Sequence, residues 1–155
     1  MKINSDYFED SLKTSFDNIN TILFYGNNAG LVEILYQKTL DILKININDP
    51  FNVSKIDSEQ FKDHPWVLID NISTLSIFSE KRFILLDLTN ISFNKNIENI
   101  VLKAIEIKNN NYLLLIKCGN LKQSSFTKYF QNDNSSFIVP CYEEKLKTIY
   151  NEISN

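Results

Sequence analysis

The feature that most restricts the fold is a repeated alternation between short runs of β-forming residues and longer segments with apolar residues at helical spacing. Thr21-Ile22-Leu23-Phe24-Tyr25 carries no charge and is stopped by Gly26, as a strand buried on both faces would be. Across residues 31–43, apolar side chains recur at Leu31, Ile34, Leu35, Leu40 and Leu43, near the period of a helix. Together these read as strand, glycine turn, helix. Residues 51–57 alternate apolar and polar side chains, which predicts a half-exposed strand near a sheet edge. His64-Pro65 marks a helix start, because proline is tolerated in the first turn; that helix carries Leu68, Ile72 and Leu75 on one side. Residues 83–86 and 112–116 read as strands on either side of a helix over 97–107. A short helix over 123–130, a strand at 137–139 and an amphipathic helix over 143–153 complete the pattern. Strands and helices alternating at these intervals predict a three-layer α/β domain, a parallel sheet with helices on both faces.

The 155 residues, 43% hydrophobic and 12% aromatic, are enough to bury one substantial core. With only 3 Gly and 3 Pro, the chain has no flexible or polyproline linker. A formal charge of -3 and a single arginine, Arg82, argue against a domain that holds nucleic acid mainly by its phosphates. The polar start Met1-Lys2-Ile3-Asn4-Ser5-Asp6 runs into no long apolar segment, so neither a signal peptide nor a membrane span is expected, and a cytoplasmic protein is. Cys118 and Cys141 are too far apart for a metal knuckle and are expected as reduced, buried thiols. His64, the only histidine, leaves no Cys–His pair and no His pair for a metal. Neither a metal nor a cofactor is expected.

A glycine turn between strand and helix is the setting in which backbone amides cradle a phosphate. Here it reads Gly26-Asn27-Asn28-Ala29-Gly30-Leu31-Val32. A working P-loop places lysine and then Ser or Thr after the second glycine, to meet the phosphates and hold magnesium; Leu31 and Val32 stand there instead. The favoured reading is a degenerate phosphate loop in which Gly26 and Gly30 let the chain turn tightly and pack the helix. Weak anion binding by the amides stays open as the lesser alternative. Asp87 stands roughly where a Walker-B acid would, but Leu88-Thr89 follows it, and it reads as a strand-end cap. Asp57 and Glu59 read as caps of the turn after the second strand. No intrinsic enzyme activity is expected.

Four stretches in register resemble one family: Leu23-Phe24-Tyr25-Gly26-Asn27-Asn28-Ala29-Gly30-Leu31-Val32, Asp49-Pro50-Phe51-Asn52-Val53, Leu75-Ser76-Ile77-Phe78-Ser79-Glu80-Lys81-Arg82 and Cys118-Gly119-Asn120-Leu121-Lys122-Gln123-Ser124-Ser125. They are similar to the N-terminal domain of the delta subunit of the bacterial DNA polymerase III clamp loader, and Ile138-Val139-Pro140-Cys141-Tyr142 resembles that family's exit from its first domain. The resemblance implies a RecA-like AAA+ fold without ATPase activity over residues 1–141, with residues 142–155 beginning a second, helical domain that is cut short. It also implies partners: a beta-type sliding clamp, ATP-hydrolysing loader subunits, a delta-prime subunit, and DNA through the assembled complex.

In that family two hydrophobic residues enter a pocket on the clamp, and the matching positions here are Ile77 and Phe78, with Leu75 as an apolar support. Ile replaces the commoner Leu, a near-isosteric change that should be tolerated. From periodicity alone, Ile77 and Phe78 tuck under the sheet as the helix ends; the resemblance implies that they form an exposed plug. A small P-loop-like nucleotide-binding protein or phosphotransferase is the alternative from another functional class, and a scaffold domain without catalytic activity is a third.

Overall fold

A computed structural model describes residues 1–75, 81–107 and 111–143. Within them β1 (Thr21–Tyr25), β2 (Val53–Ile56), β3 (Arg82–Leu88), β4 (Tyr112–Cys118) and β5 (Ser136–Pro140) form a five-stranded sheet in the order β2-β3-β4-β1-β5, every neighbouring pair parallel. Helices α1 (Phe8–Ser15), α2 (Ala29–Ile42), α3 (Ser58–Asp63), α4 (Val67–Leu75), α5 (Lys95–Glu106) and α6 (Ser125–Asn132) cover it.

The period of two along each strand divides the core. Ile22 and Phe24 of β1 and Leu113 and Leu115 of β4 pack against Phe8 and Leu12 of α1 and against Val32, Leu35 and Tyr36 of α2. Leu23, Leu114 and Ile116 face the other way, toward Phe61, Leu68, Ile72, Val101, Phe126 and Phe130 of the remaining helices. A strand clad on both sides must be apolar at every position, which is why β1 is buried from end to end.

These faces also fix the connections. From β1 the chain crosses toward the β2 edge over the α2 face, and each later crossover moves back the opposite way over the other face. All four therefore share one hand, as parallel crossovers require.

The edges are closed by different means. β2 has only four residues, with Lys55 exposed; short edges with lysine resist pairing with other chains. Along β5 the chain start pairs instead, Ile3 N–H donating to the Ile138 carbonyl at 2.9 Å and Ile138 N–H to the Met1 carbonyl at 3.0 Å. The Met1 ammonium donates to the carbonyls of Phe130, Asp133 and Ser136 at 2.6, 2.8 and 2.7 Å. The first two are acceptors that the end of α6 would leave open, and the third is the first carbonyl of β5.

Several expectations needed adjustment. α2 begins at Ala29, because Asn28 caps it by accepting from Leu31 N–H at 3.0 Å. Phe51, expected at the start of the edge strand, is 79% exposed on the turn before it. Two helices were not anticipated: α1, and the short α3, which Asp57 caps by accepting from Gln60 N–H at 2.7 Å. The helix expected over 143–153 falls almost wholly outside the described residues. Among the described residues no helix is long and apolar enough to cross a membrane.

α2 ends with Ile45 N–H donating to the Leu40 carbonyl at 2.9 Å, which forces Lys44 into the left-handed region at φ 55°. Glycine is the residue that adopts this conformation without cost. Lys44→Gly should therefore raise the unfolding free energy by about 0.5–1 kcal/mol, read from urea denaturation.

Candidate functional site

Adjacent strands send their chains to opposite faces at one point: β1 leads into α2 on one side, and β4 leads into α6 on the other. In open α/β sheets, ligands bind in the crevice outside the carboxyl ends of the strands at such a switch point. Here that place holds the loop of residues 26–28 and Gly119-Asn120.

The loop is closed by the protein's own carbonyls. Gly26 N–H donates to the Gly119 carbonyl at 3.0 Å, and Asn28 N–H donates to the Cys141 carbonyl at 3.1 Å. Cys141 N–H in turn donates to the Tyr25 carbonyl at 2.6 Å, and Glu143 N–H to the Asn27 side chain at 3.0 Å. Gly26 has φ 143°, and a Cβ on it would stand 1.9 Å from the Cys141 carbonyl oxygen. Only glycine permits that approach. Gly30 differs: it lies in the first turn of α2, and a Cβ there would meet only the Asn28 side-chain oxygen, at 3.5 Å. Leu31 is half-buried and Val32 is packed into the core, so the position after Leu31 serves packing.

An ammonium does reach this end of the sheet, from β4. Lys117 Nζ lies 3.0 Å from a Glu33 carboxylate oxygen and 3.9 Å from one of Asp87, and stands 4.5 Å from the centre of the Tyr36 ring. Asp87 also accepts from Thr89 N–H at 3.0 Å and from the Thr89 hydroxyl at 2.6 Å, the cap expected of it. Hydrogen bonds from Gln37 and Lys117 hold the Glu33 carboxyl below its usual range. The charges at this site are thus directed at one another. Sequence reading missed Lys117, whose only signal is one charge in an otherwise apolar strand.

Beside the loop, a hollow of about 650 Å³ is lined in part by Asn28, Leu31, Asp6, Glu9 and Lys38. Glu9 is held ionised by its hydrogen bond from Lys13, with Lys38 adding to the effect. Glu9 is thus paired with Lys13 at 3.3 Å and with Lys38 at 3.7 Å. Among the described residues no group of three or more His, Cys, Asp or Glu could hold a metal ion. Cys118 and Cys141 are buried free thiols, and burial pushes the Cys141 thiol up to about 11. Of the residues expected to meet a clamp, Leu75 is the last residue of α4, while Ile77 and Phe78 lie outside the described residues.

Neither a family model nor a curated protein matches the chain.

The two glycines should respond oppositely to alanine. Gly26→Ala should cost about 3 kcal/mol or more, because the backbone of Cys141 would have to move. Gly30→Ala should be neutral or stabilise by up to about 1 kcal/mol, being an ordinary helix position. Equal losses in thermal unfolding would contradict this account of the loop.

Burial raises Tyr25, Tyr36 and Tyr112 from 10.0 to about 12. The folded protein therefore keeps phenolic protons that the unfolded chain releases above pH 10. Stability from these groups is complete below pH 10 and is lost as pH rises toward 12. Titration at the phenolate absorbance should show these tyrosines ionising together with unfolding; smooth ionisation of every tyrosine near 10 in the folded state would refute it.

Proposed function

We propose that this chain is the N-terminal domain of a bacterial clamp-loader delta subunit and that it grips a beta-type sliding clamp through a hydrophobic plug. Ile77 and Phe78 form the plug, and Leu75 supports it. The domain works with ATP-hydrolysing loader subunits and a delta-prime subunit, and meets DNA through the assembled complex.

The observation that carries this reading is the glycine loop closed on its own carbonyls, at the place where a nucleotide would otherwise sit. The all-parallel sheet is compatible with a RecA-like layout, and the glycine turn follows β1 and leads into α2. A domain with this framework and without phosphate chemistry suits a subunit whose task is binding. The four family-like stretches also fall at junctions: the exit of β1, the turn into β2, the passage from α4 to β3 and the exit of β4. Leu68 and Ile72 are fully buried, so the inner side of α4 is already occupied before the chain reaches Ile77. The same loop argues against a P-loop-like nucleotide-binding protein or phosphotransferase, since neither a lysine nor a magnesium-binding hydroxyl stands at 31 or 32.

Burying each plug side chain is worth roughly 1.5–3 kcal/mol, and interface anchors of this kind cost about 2 kcal/mol or more when truncated. The double substitution Ile77→Ala with Phe78→Ala should weaken binding to a purified bacterial sliding clamp by well over about tenfold, with the unfolding midpoint nearly unchanged. Undiminished binding by a folded double variant would place the plug elsewhere. A loss of several kcal/mol of stability would make both residues core.

A further inference from the structure

At the opposite end of the sheet, the face covered by α1 and α2 is incompletely closed. A hollow of about 410 Å³ lies there, floored by Phe16, Ile42, Leu43, Phe83 and Leu113. Among the described residues its remaining lining is Lys13, Lys44 and Lys81. The floor offers no side-chain hydrogen-bonding group to orient a small molecule, whereas small-molecule sites carry a few convergent polar groups. What the hollow offers is apolar area and a rim of long cations.

Each lysine is placed by a separate piece of structure. Lys13 is at the end of α1, where its ammonium lies 3.3 Å from Glu9. Lys81 stands 6.0 Å from the centre of the Phe16 ring; burial lowers its pKa, and Asp17 opposes that effect. Lys44 keeps the left-handed backbone that glycine would adopt more readily. Glu9 and Asp17 stand beside two of these lysines, and the Lys13–Glu9 pair is solvent-exposed and so weakly held, leaving three ammonium groups able to turn toward an acidic ligand on apolar surface.

A second feature adjoins the hollow. Asp49 accepts from Phe51 N–H at 3.0 Å, from Asn52 N–H at 3.3 Å and from the Asn52 side-chain amide at 2.7 Å. This pinned turn leaves Phe51 79% exposed. The turn is tied to the floor, because Phe83 N–H donates to the Asn52 carbonyl at 2.9 Å. An aromatic ring held out on a pinned backbone has the form of an interface anchor, since the turn need not be ordered on contact and a phenyl ring has only two side-chain torsions to fix.

We propose that this end of the domain is a docking site for an acidic, hydrophobic peptide segment of a partner protein. An apolar side chain of the segment enters the hollow, its neighbouring carboxylates meet Lys13, Lys44 and Lys81, and Phe51 packs against the segment's flank.

The test uses the full chain and a fluorescein-labelled synthetic peptide in which Phe and Leu alternate with Asp. Fluorescence anisotropy is expected to show saturable binding that weakens with salt, as exposed charge pairs do. Replacing Lys13, Lys44 and Lys81 together by Gln should weaken it about tenfold or more. Phe51→Ser should weaken it several-fold without moving the denaturation midpoint. Should the triple variant fold poorly, Lys44→Gly gives the same reading in a background expected to be more stable, with weaker peptide binding beside a higher midpoint. Equal binding of a peptide with Lys in place of Asp overturns the proposal, as does unchanged affinity in a folded lysine variant. Saturation by octanoate with no binding of the peptide would make the ligand a small amphiphile. Concentration-dependent dimerisation abolished by Phe51→Ser would make the surface a self-contact. Either result also overturns the proposal.

Discussion

The backbone of Cys141 ties the carboxyl edge of the sheet together. Its N–H reaches the end of β1, its carbonyl receives the amide of Asn28 at the cap of α2, and its oxygen lies where a side chain on Gly26 would have to be. Gly26 is bonded to Gly119, so the exits of β1, β4 and β5 are held by one small set of backbone contacts. Each such bond contributes about 0.5–1.5 kcal/mol net, but leaving a buried partner unmade costs about 1–3 kcal/mol, so the set resists opening piecemeal. The same contacts occupy the Gly26 and Asn28 amides at the turn between β1 and α2.

Much of the layer structure is legible in the sequence because a parallel sheet covered twice leaves strong local marks. The runs in β1 and β4 read as doubly buried strands from their length and β-branched and aromatic content, and the polar alternation around Val53 and Ile56 reads as a strand near an edge. The helices that escaped notice did so for different reasons. Phe8 and Leu12 have helical spacing and are fully buried, so α1 was readable in principle. α3 has six residues and one buried side chain, Phe61, too few to show a period; only the capping residue Asp57 announces it.

The site is less legible because its decisive relations are between segments distant in sequence. That Leu31 and Val32 lack phosphate chemistry is visible in the sequence; that Val32 is a core residue is not. The meeting of Lys117 with Asp87 follows from the register of β4 on β3, and that with Glu33 from the packing of α2 on β4. Neither is encoded locally. Gly26 and Gly30 look equivalent in sequence, yet one is required by a close backbone approach and the other is an ordinary helical position.

The two ends of the sheet have therefore diverged in what they offer a partner. At the carboxyl end, Lys117 is paired with Glu33 and Asp87, the Gly26 and Asn28 amides are bonded to carbonyls, and the adjoining hollow is edged by Asp6, Glu9 and Lys38. A group seeking the Gly26 or Asn28 amide there would have to break an existing bond before making its own, which lowers its net gain. At the amino end the apolar floor remains open beneath lysines, of which Lys13 is held in an exposed pair with Glu9, and a contact would bury surface that the fold leaves exposed. Binding free energy is gained where the unbound protein is least satisfied. In this fold the apolar hollow at the amino end of the sheet is therefore where a contact has more unburied surface to gain from than at the switch point.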